Sequence, residues 1–259
     1  MTRERSHKPV AHPTAVKYAA EIIGTLFLVF TIGTAVRSGS PLAPPAIGAI
    51  LMAMVYAGGH ISGAHYNPAV MLAVLVRRRI DVREAVGYWI SQLIGALLAS
   101  AVVSAVAPAQ TSRMTLSGHA VMAAFVAELL VTFALCYVVL NVATSKDHPD
   151  NSFYRLAIGF TVAAGAVAVG GISGGAFSPA VAVAGVAMGM FSGSMIWMFV
   201  AARPSPPWPP ASHSERSTPP TSNPTSTTRS PFVARSVAAT KGERASSFRD
   251  RRRCNGCDG

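Results

Sequence analysis

The sequence predicts an all-α membrane protein, an inverted-repeat helical bundle with two re-entrant half-helices. Three observations carry this prediction. Five apolar runs are long enough to cross a bilayer, since ~20 mainly apolar residues cover the hydrocarbon core. Two more apolar runs are about half that length, and each follows a glycine-rich stretch. The order of span, span and half-span then begins again in the second part of the chain.

Composition agrees with lipid as the solvent. Of 259 residues, 51% are hydrophobic and 13% charged, against about 25% charged in an ordinary soluble domain. The character changes near residue 203. Before it, 12 Lys and Arg face 7 Asp and Glu, net +5; from it onward 10 face 4, net +6. More than half of the basicity therefore belongs to a Pro-, Ser- and Arg-rich tail. The expected organisation is a basic N-terminal segment 1–15, a membrane domain 16–202 and a tail 203–259.

The predicted spans are 16–36, 45–61, 84–106, 119–143 and 153–171. Residues 1–14 are polar and basic with no small-residue cleavage site after a short apolar core, so the first run is expected to stay in the membrane. None of the runs alternates as barrel strands do, which leaves helices as the way to satisfy every backbone group in lipid. The short runs are 67–76 and 178–190. Ten helical residues cover ~15 Å, about half the core. They follow His60-Ile61-Ser62-Gly63-Ala64-His65 and Gly170-Gly171-Ile172-Ser173-Gly174-Gly175. Such a chain can enter the membrane extended, turn, and return as a half-helix where it lines a cavity.

The two parts share local sequence. Ala20-Glu21-Ile22-Ile23 matches Ala127-Glu128-Leu129-Leu130, and Asn67-Pro68-Ala69-Val70 matches Ser178-Pro179-Ala180-Val181. Three spans per part is an odd number, so the parts are inverted and their half-helices meet at the midplane. Pro is favoured at the first helical position and Asn or Ser just before it. Asn67-Pro68 and Ser178-Pro179 thus read as two helix starts inside the membrane. Ser178 offers one hydroxyl there, partly occupied if it caps its own helix. Gly24, Gly48, Gly95 and Gly159 are expected to let helices approach closely.

With the N-terminus inside, ten Lys and Arg fall on inner segments and two, Arg37 and Arg113, on outer ones. This orientation suits a multi-pass protein of the cell (inner or plasma) membrane with a cytoplasmic N-terminus. The triplet Arg77-Arg78-Arg79 could suggest nucleic acid, but beside a span it reads as an inside anchor, and no nucleic-acid partner is expected. Three cysteines make no disulfide framework. Cys136 is expected to pack as a small hydrophobe; Cys254 and Cys257 form a lone CxxC without further ligands.

Several of these segments resemble the aquaporin, or major intrinsic protein, channel family. Gly59-His60-Ile61-Ser62-Gly63-Ala64-His65-Tyr66-Asn67-Pro68-Ala69-Val70 is similar to the family's first Asn-Pro-Ala region. Ala20-Glu21-Ile22-Ile23-Gly24-Thr25-Leu26-Phe27-Leu28-Val29-Phe30 resembles its first span, and Gln92-Leu93-Ile94-Gly95-Ala96 its third. The resemblance implies midplane motifs Asn67-Pro68-Ala69 and Ser178-Pro179-Ala180, with positive half-helix ends opposing cations, a device known for this family. It implies that Glu21 and Glu128 hold the re-entrant loops by accepting backbone N–H bonds, rather than moving protons. His60 and His65 resemble loop-packing residues; no third metal ligand accompanies them. By family spacing the selectivity filter falls on Ile47, Ala166, Gly175 and Val181, with Val181 at the family's arginine position. That filter is wide and apolar, and selective water transport is not favoured by it.

The expected function is a passive channel for small uncharged solutes, water or both, with no enzyme activity, no cofactor and no metal. A homotetramer in the lipid bilayer is implied by the resemblance alone. A gradient-coupled transporter is the rival, though no ionisable coupling residue stands near the midplane beyond the two glutamates. The second half should hold a sixth span from about Ser194. Its apolar run stops at Ala202, and Arg203-Pro204-Ser205-Pro206-Pro207-Trp208-Pro209-Pro210 cannot continue a lipid-facing helix. The tail is expected to be disordered. It is read here as the product of a frameshift near 192–203, the other reading being a natural basic tail on anionic lipid. A chain so cut could also be a non-conducting relic.

Overall fold

The computed structural model describes residues 12–108, 113–144 and 151–202. In order these form α1 (Thr14–Arg37), α2 (Ala43–Ser62), α3 (Pro68–Val76), α4 (Val82–Val106), α5 (His119–Ala143), α6 (Tyr154–Ser173), α7 (Pro179–Ala187), a 3-10 turn (Gly193–Met195) and α8 (Ile196–Ala201). Five of them, α1, α2, α4, α5 and α6, are long and apolar enough to cross a membrane. The described residues contain no strand, only an isolated bridge between Met114 and Phe191.

Local chemistry sets the boundaries. Pro44 and Pro45 sit in the first turn of α2, where their missing donors cost nothing. Asp81 starts α4 two residues earlier than the hydropathy suggested, its carboxylate accepting from Glu84 N at 2.8 Å. The second half-helix is shorter than the predicted 178–190. It stops at Ala187 because Gly189 turns left-handed (φ +81°) and the amides of Met190 and Phe191 fold back onto the Gly185 carbonyl.

Ion pairs and caps define two ends of the bundle. At one, Lys17 of α1 pairs with Glu84 of α4 at 2.8 Å. Arg77 and Arg79, just past α3, donate to the carbonyls of Leu140 and Thr144 at the end of α5. This is the basic end. At the opposite end Arg37 gathers three helix termini, donating to Val103 O and Ala107 O after α4 and to Met188 O after α7. Cations at helix C-termini are favourably placed in both cases.

The long helices pack as α1 on α4 and α2, α2 on α6, and α5 on α6. Small residues set the closest crossings. A Cβ on Gly48 would meet Gly159 O at 2.6 Å, and one on Gly159 would meet Gly48 O at 2.6 Å. Gly95 abuts the Ile22 carbonyl, and Gly24 the Tyr66 ring. The outward face of α4 exposes Ile90, Ile94, Leu97 and Leu98, as a lipid-facing surface requires. Cys136 is buried within α5.

Among the described residues the second half is shorter than the first. α4 has 25 residues, whereas α8 in the corresponding place has six, reaching ~9 Å. Met195, Met198 and Phe199 are nevertheless buried, and Trp197 stacks on Phe125 of α5 with centroids 6.2 Å apart. Residues 1–11 and 203–259, including Cys254 and Cys257, lie outside the described residues, so the expected tail, its CxxC and part of the N-terminal segment are not described.

Candidate functional site

Each re-entrant loop begins where a spanning helix ends on a glycine in the left-handed region. Gly63 (φ +90°) ends α2 and Gly174 (φ +89°) ends α6. The next positions repeat the same path. Ala64 and Gly175 have φ +52° and +63°, and Tyr66 and Phe177 have φ +50° and +48°. Three of these six residues lack the freedom of glycine, so surrounding bonds must hold them.

Two buried carboxylates supply those bonds. Glu21 of α1 accepts from Ser62 Oγ at 2.8 Å, His65 N at 2.9 Å, Tyr66 N at 2.8 Å and Gln92 Nε2 at 2.9 Å. The His65 ring nitrogen lies 3.3 Å from the same carboxylate. Glu128 of α5 accepts from Ser173 Oγ at 2.6 Å, Ala176 N at 3.1 Å and Phe177 N at 2.8 Å. In both loops the serine hydroxyl also takes the amide two residues on, Ala64 N at 3.0 Å and Gly175 N at 3.2 Å. A carboxylate 0% or 1% exposed is stable only when its lone pairs are occupied in this way.

The half-helices begin where these loops meet. Asn67 (φ −151°, ψ 120°) and Ser178 (φ −154°, ψ 128°) share one extended backbone, each followed by its proline at the first helical position. Asn67 Oδ1 caps α3 by accepting from Ala69 N at 2.8 Å, and its Nδ2 donates across to Phe177 O at 2.7 Å. One side chain thus joins the starts of both half-helices. Ser178 departs from expectation. It makes no cap bond, and its buried hydroxyl has no partner among the described residues. The shorter side chain does not repeat either Asn67 bond. Two half-helix N-termini bring about +0.5 charge each to this spot.

A cavity of about 130 Å³ runs past the junction, lined by Asn67 and Ser178 and otherwise mainly by apolar side chains such as Leu28, Leu51, Val70 and Leu135. It extends to Ala143, Thr144 and Tyr154 at the basic end. Toward the opposite end a wider hollow of about 550 Å³, bordered by Arg113, takes over. Both are lined by Ile32, Ile47 and Gly175.

Of the positions chosen by family spacing, Ile47, Gly175 and Val181 line the narrow cavity, and Ala166 lines the hollow beside Ile47 and Gly175. Pro68, Ala69 and Ala180 are buried behind the junction, Pro179 partly so. His65 joins the Glu21 cluster, but His60 does not. It is exposed at the end of α2, its ring edge-on to His12 at 6.1 Å, because the loop turns inward only after Gly63. Among the described residues no group of three His, Cys, Asp or Glu could hold a metal. Gln92 and Tyr154 were not singled out as site residues from the sequence. Gln92 is a fully buried amide in a long apolar run, which is a readable signal; nothing in the sequence marks Tyr154.

Comparison with known proteins places these features in a lineage. A family profile described as "Major intrinsic protein" matches residues 10–202. The "Glycerol uptake facilitator protein-like 6" of Lactiplantibacillus plantarum is 40% identical over 197 residues, 72% of this chain and 90% of its own length. The "Probable aquaporin TIP2-2" of Oryza sativa subsp. japonica is 36% identical over 179 residues, covering 63% of this chain and 71% of its own. Among solved structures, the aquaglyceroporin from Plasmodium falciparum superposes with a TM-score of 0.60 at 21% identity, covering 74% of this chain and 91% of that one, a likeness of fold.

Proposed function

This chain belongs to the major intrinsic protein family, and we infer that the path through its half-helix junction is a passive channel for small uncharged solutes or water. The single observation that carries the reading is the 2.7 Å bond from Asn67 Nδ2 to Phe177 O. It ties two helix N-termini together inside a lined cavity, where their fields oppose cations and leave neutral molecules free to pass.

The solute class follows from the wall. Ile47, Ala166, Gly175 and Val181 are the proposed filter, and none carries a charge or a side-chain donor. Such a ring does not strip solutes by hydrogen bonding and admits a cross-section wider than water. A glycerol facilitator at 40% identity is consistent with small polyols. The supporting glutamates, Glu21 and Glu128, act structurally, since their oxygens are occupied by loop donors. No catalytic role is assigned to any residue. The excess of Lys and Arg at the basic end supports a cytoplasmic N-terminus, and the family resemblance supports a homotetramer with one pore per subunit.

The short α8 bears on whether this chain conducts. Six residues do not span, and the residues that follow are proline-rich. We attribute the change after about Phe191 to a shifted reading frame. One of the alternative frames should then encode ~20 apolar residues, and resequencing the gene checks this directly. Two stops or two polar readings would instead make the tail genuine.

The function is tested by glycerol and water flux into proteoliposomes, with and without an imposed ion gradient. Equal, downhill flux in both conditions is expected. Accumulation against a glycerol gradient, driven by ions, would replace the channel with a coupled transporter.

A further inference from the structure

The basic end of the narrow cavity is bounded by Ala143 at the end of α5, by Thr144 just after it and by Tyr154 from α6. Of these three, Tyr154 alone is bulky. Its hydroxyl lies over Gly59 of α2, where a Cβ would come within 2.7 Å of it. The ring lines the cavity's end and reaches from α6 to α2. Arg155 holds it there. The guanidinium carbon is 4.3 Å from the Tyr154 ring centroid and 4.7 Å from that of Tyr56 on α2. Arg155 Nε is buried and has no hydrogen-bond partner among the described residues. The stack on two rings is thus a principal contact of the group. The Tyr154 hydroxyl makes no hydrogen bond among the described residues either. The other residues that line the cavity include the apolar Val74, Val139 and Ile158.

We propose that Tyr154 is a second constriction of the pore, at the basic end, and that Arg155 is its positioning residue. The ring sets the size limit on that side. The hydroxyl, which can both give and accept a hydrogen bond, serves a polar solute between the midplane and bulk water. The filter described above is apolar and wide, so discrimination by size falls to Tyr154. This rests on the channel reading of the same cavity.

The test uses the full chain in proteoliposomes, with water, glycerol and the five-carbon polyol ribitol as probes. The ratio of ribitol to glycerol permeability is read from the same vesicles, so it does not depend on how much of a variant folds. Tyr154→Ala should raise that ratio by about tenfold, the low end of what a methylene of misfit is worth in a tight site. Tyr154→Phe should leave the ratio unchanged and lower glycerol permeability relative to water by about 2–10-fold, one net hydrogen bond. Arg155→Met should raise the ratio by about 2–30-fold, as a lost cation–π contact frees the ring, and Arg155→Lys should restore it. An unchanged ratio in both Tyr154→Ala and Arg155→Met overturns the constriction while leaving the channel intact. If Arg155→Met lowers every flux in proportion, Arg155 is structural and its positioning role is refuted. Wild type and Tyr154→Ala both no faster than protein-free vesicles would remove the channel reading, and this inference with it.

Discussion

The first re-entrant loop hangs from Glu21 and the second from Glu128, and the two follow the same backbone path with different support. The left-handed angles agree within a few degrees at Gly63 and Gly174 and at Tyr66 and Phe177. The side chains that hold them do not. Glu21 is also held by Gln92 from α4 and approached by the His65 ring. Among the described residues Glu128 has no such contact from a corresponding helix, where α8 has six residues, and Ala176 stands where His65 does. The crossing bond is likewise made once, from Asn67 to Phe177 O, and not returned by Ser178. Loop shape is therefore fixed locally, by one carboxylate, one serine and one proline. Extra anchorage comes from the neighbouring helix, and among the described residues it is found in the first half alone.

The largest effect should come from removing a carboxylate. Glu21→Ala leaves four described donors unpaired in a buried site and should cost ~3–5 kcal/mol. Glu128→Ala strands three and should cost less. Thermal unfolding in detergent checks the order, and a larger loss at Glu128 would mean that the second loop is the better anchored.

Next come the close crossings. Gly95→Ala drives a methyl against a backbone carbonyl, Ile22 O at 2.4 Å, whereas Gly165→Ala meets the tip of a side chain, Val131 Cγ1, at 2.4 Å. Overpacking costs ~1–3 kcal/mol, and the first-half change should lie at the top of that range because backbone cannot rotate away. Equal melting shifts for the two would contradict the crossing geometry.

Much of this architecture was readable before any coordinates. Asn67-Pro68 and Ser178-Pro179 marked the half-helix starts because they stand at matching points of an inverted repeat, whereas a lone Asn-Pro would more often be a surface turn. The five spans followed from length and hydropathy. Three features were not readable. The end of α7 depends on Gly189 adopting a left-handed turn, and hydropathy alone carries no sign of it. His60 looked equivalent to His65, yet only the inward turn after Gly63 separates exposed from cradled. Tyr154 sits at an ordinary helix start, and its place at the cavity depends on packing against Gly59, 95 positions earlier in the sequence.

Two smaller effects sharpen the contrast between the halves. Gln92→Leu removes one charge-assisted bond from Glu21 and should cost ~1.5–3 kcal/mol, bringing the first loop's stability toward that of the second. Ser178→Asn should do the reverse. An amide there can repeat both bonds that Asn67 makes, and a gain of up to about 1 kcal/mol is expected from the added hydrogen bonding. Hydrogen exchange at the loop amides of residues 64–66 and 175–177 reads both changes locally.

The central claim is that solute passes the half-helix junction beside Val181, and one substitution tests it most directly. Val181→Cys puts a thiol on the cavity wall in the proposed filter, with wild type as the control for Cys136, Cys254 and Cys257. Treatment with a small neutral methanethiosulfonate should then abolish glycerol flux in the variant and leave wild-type flux unchanged, with reduction restoring it. Full labelling of residue 181 with undiminished glycerol flux would show that solute crosses elsewhere.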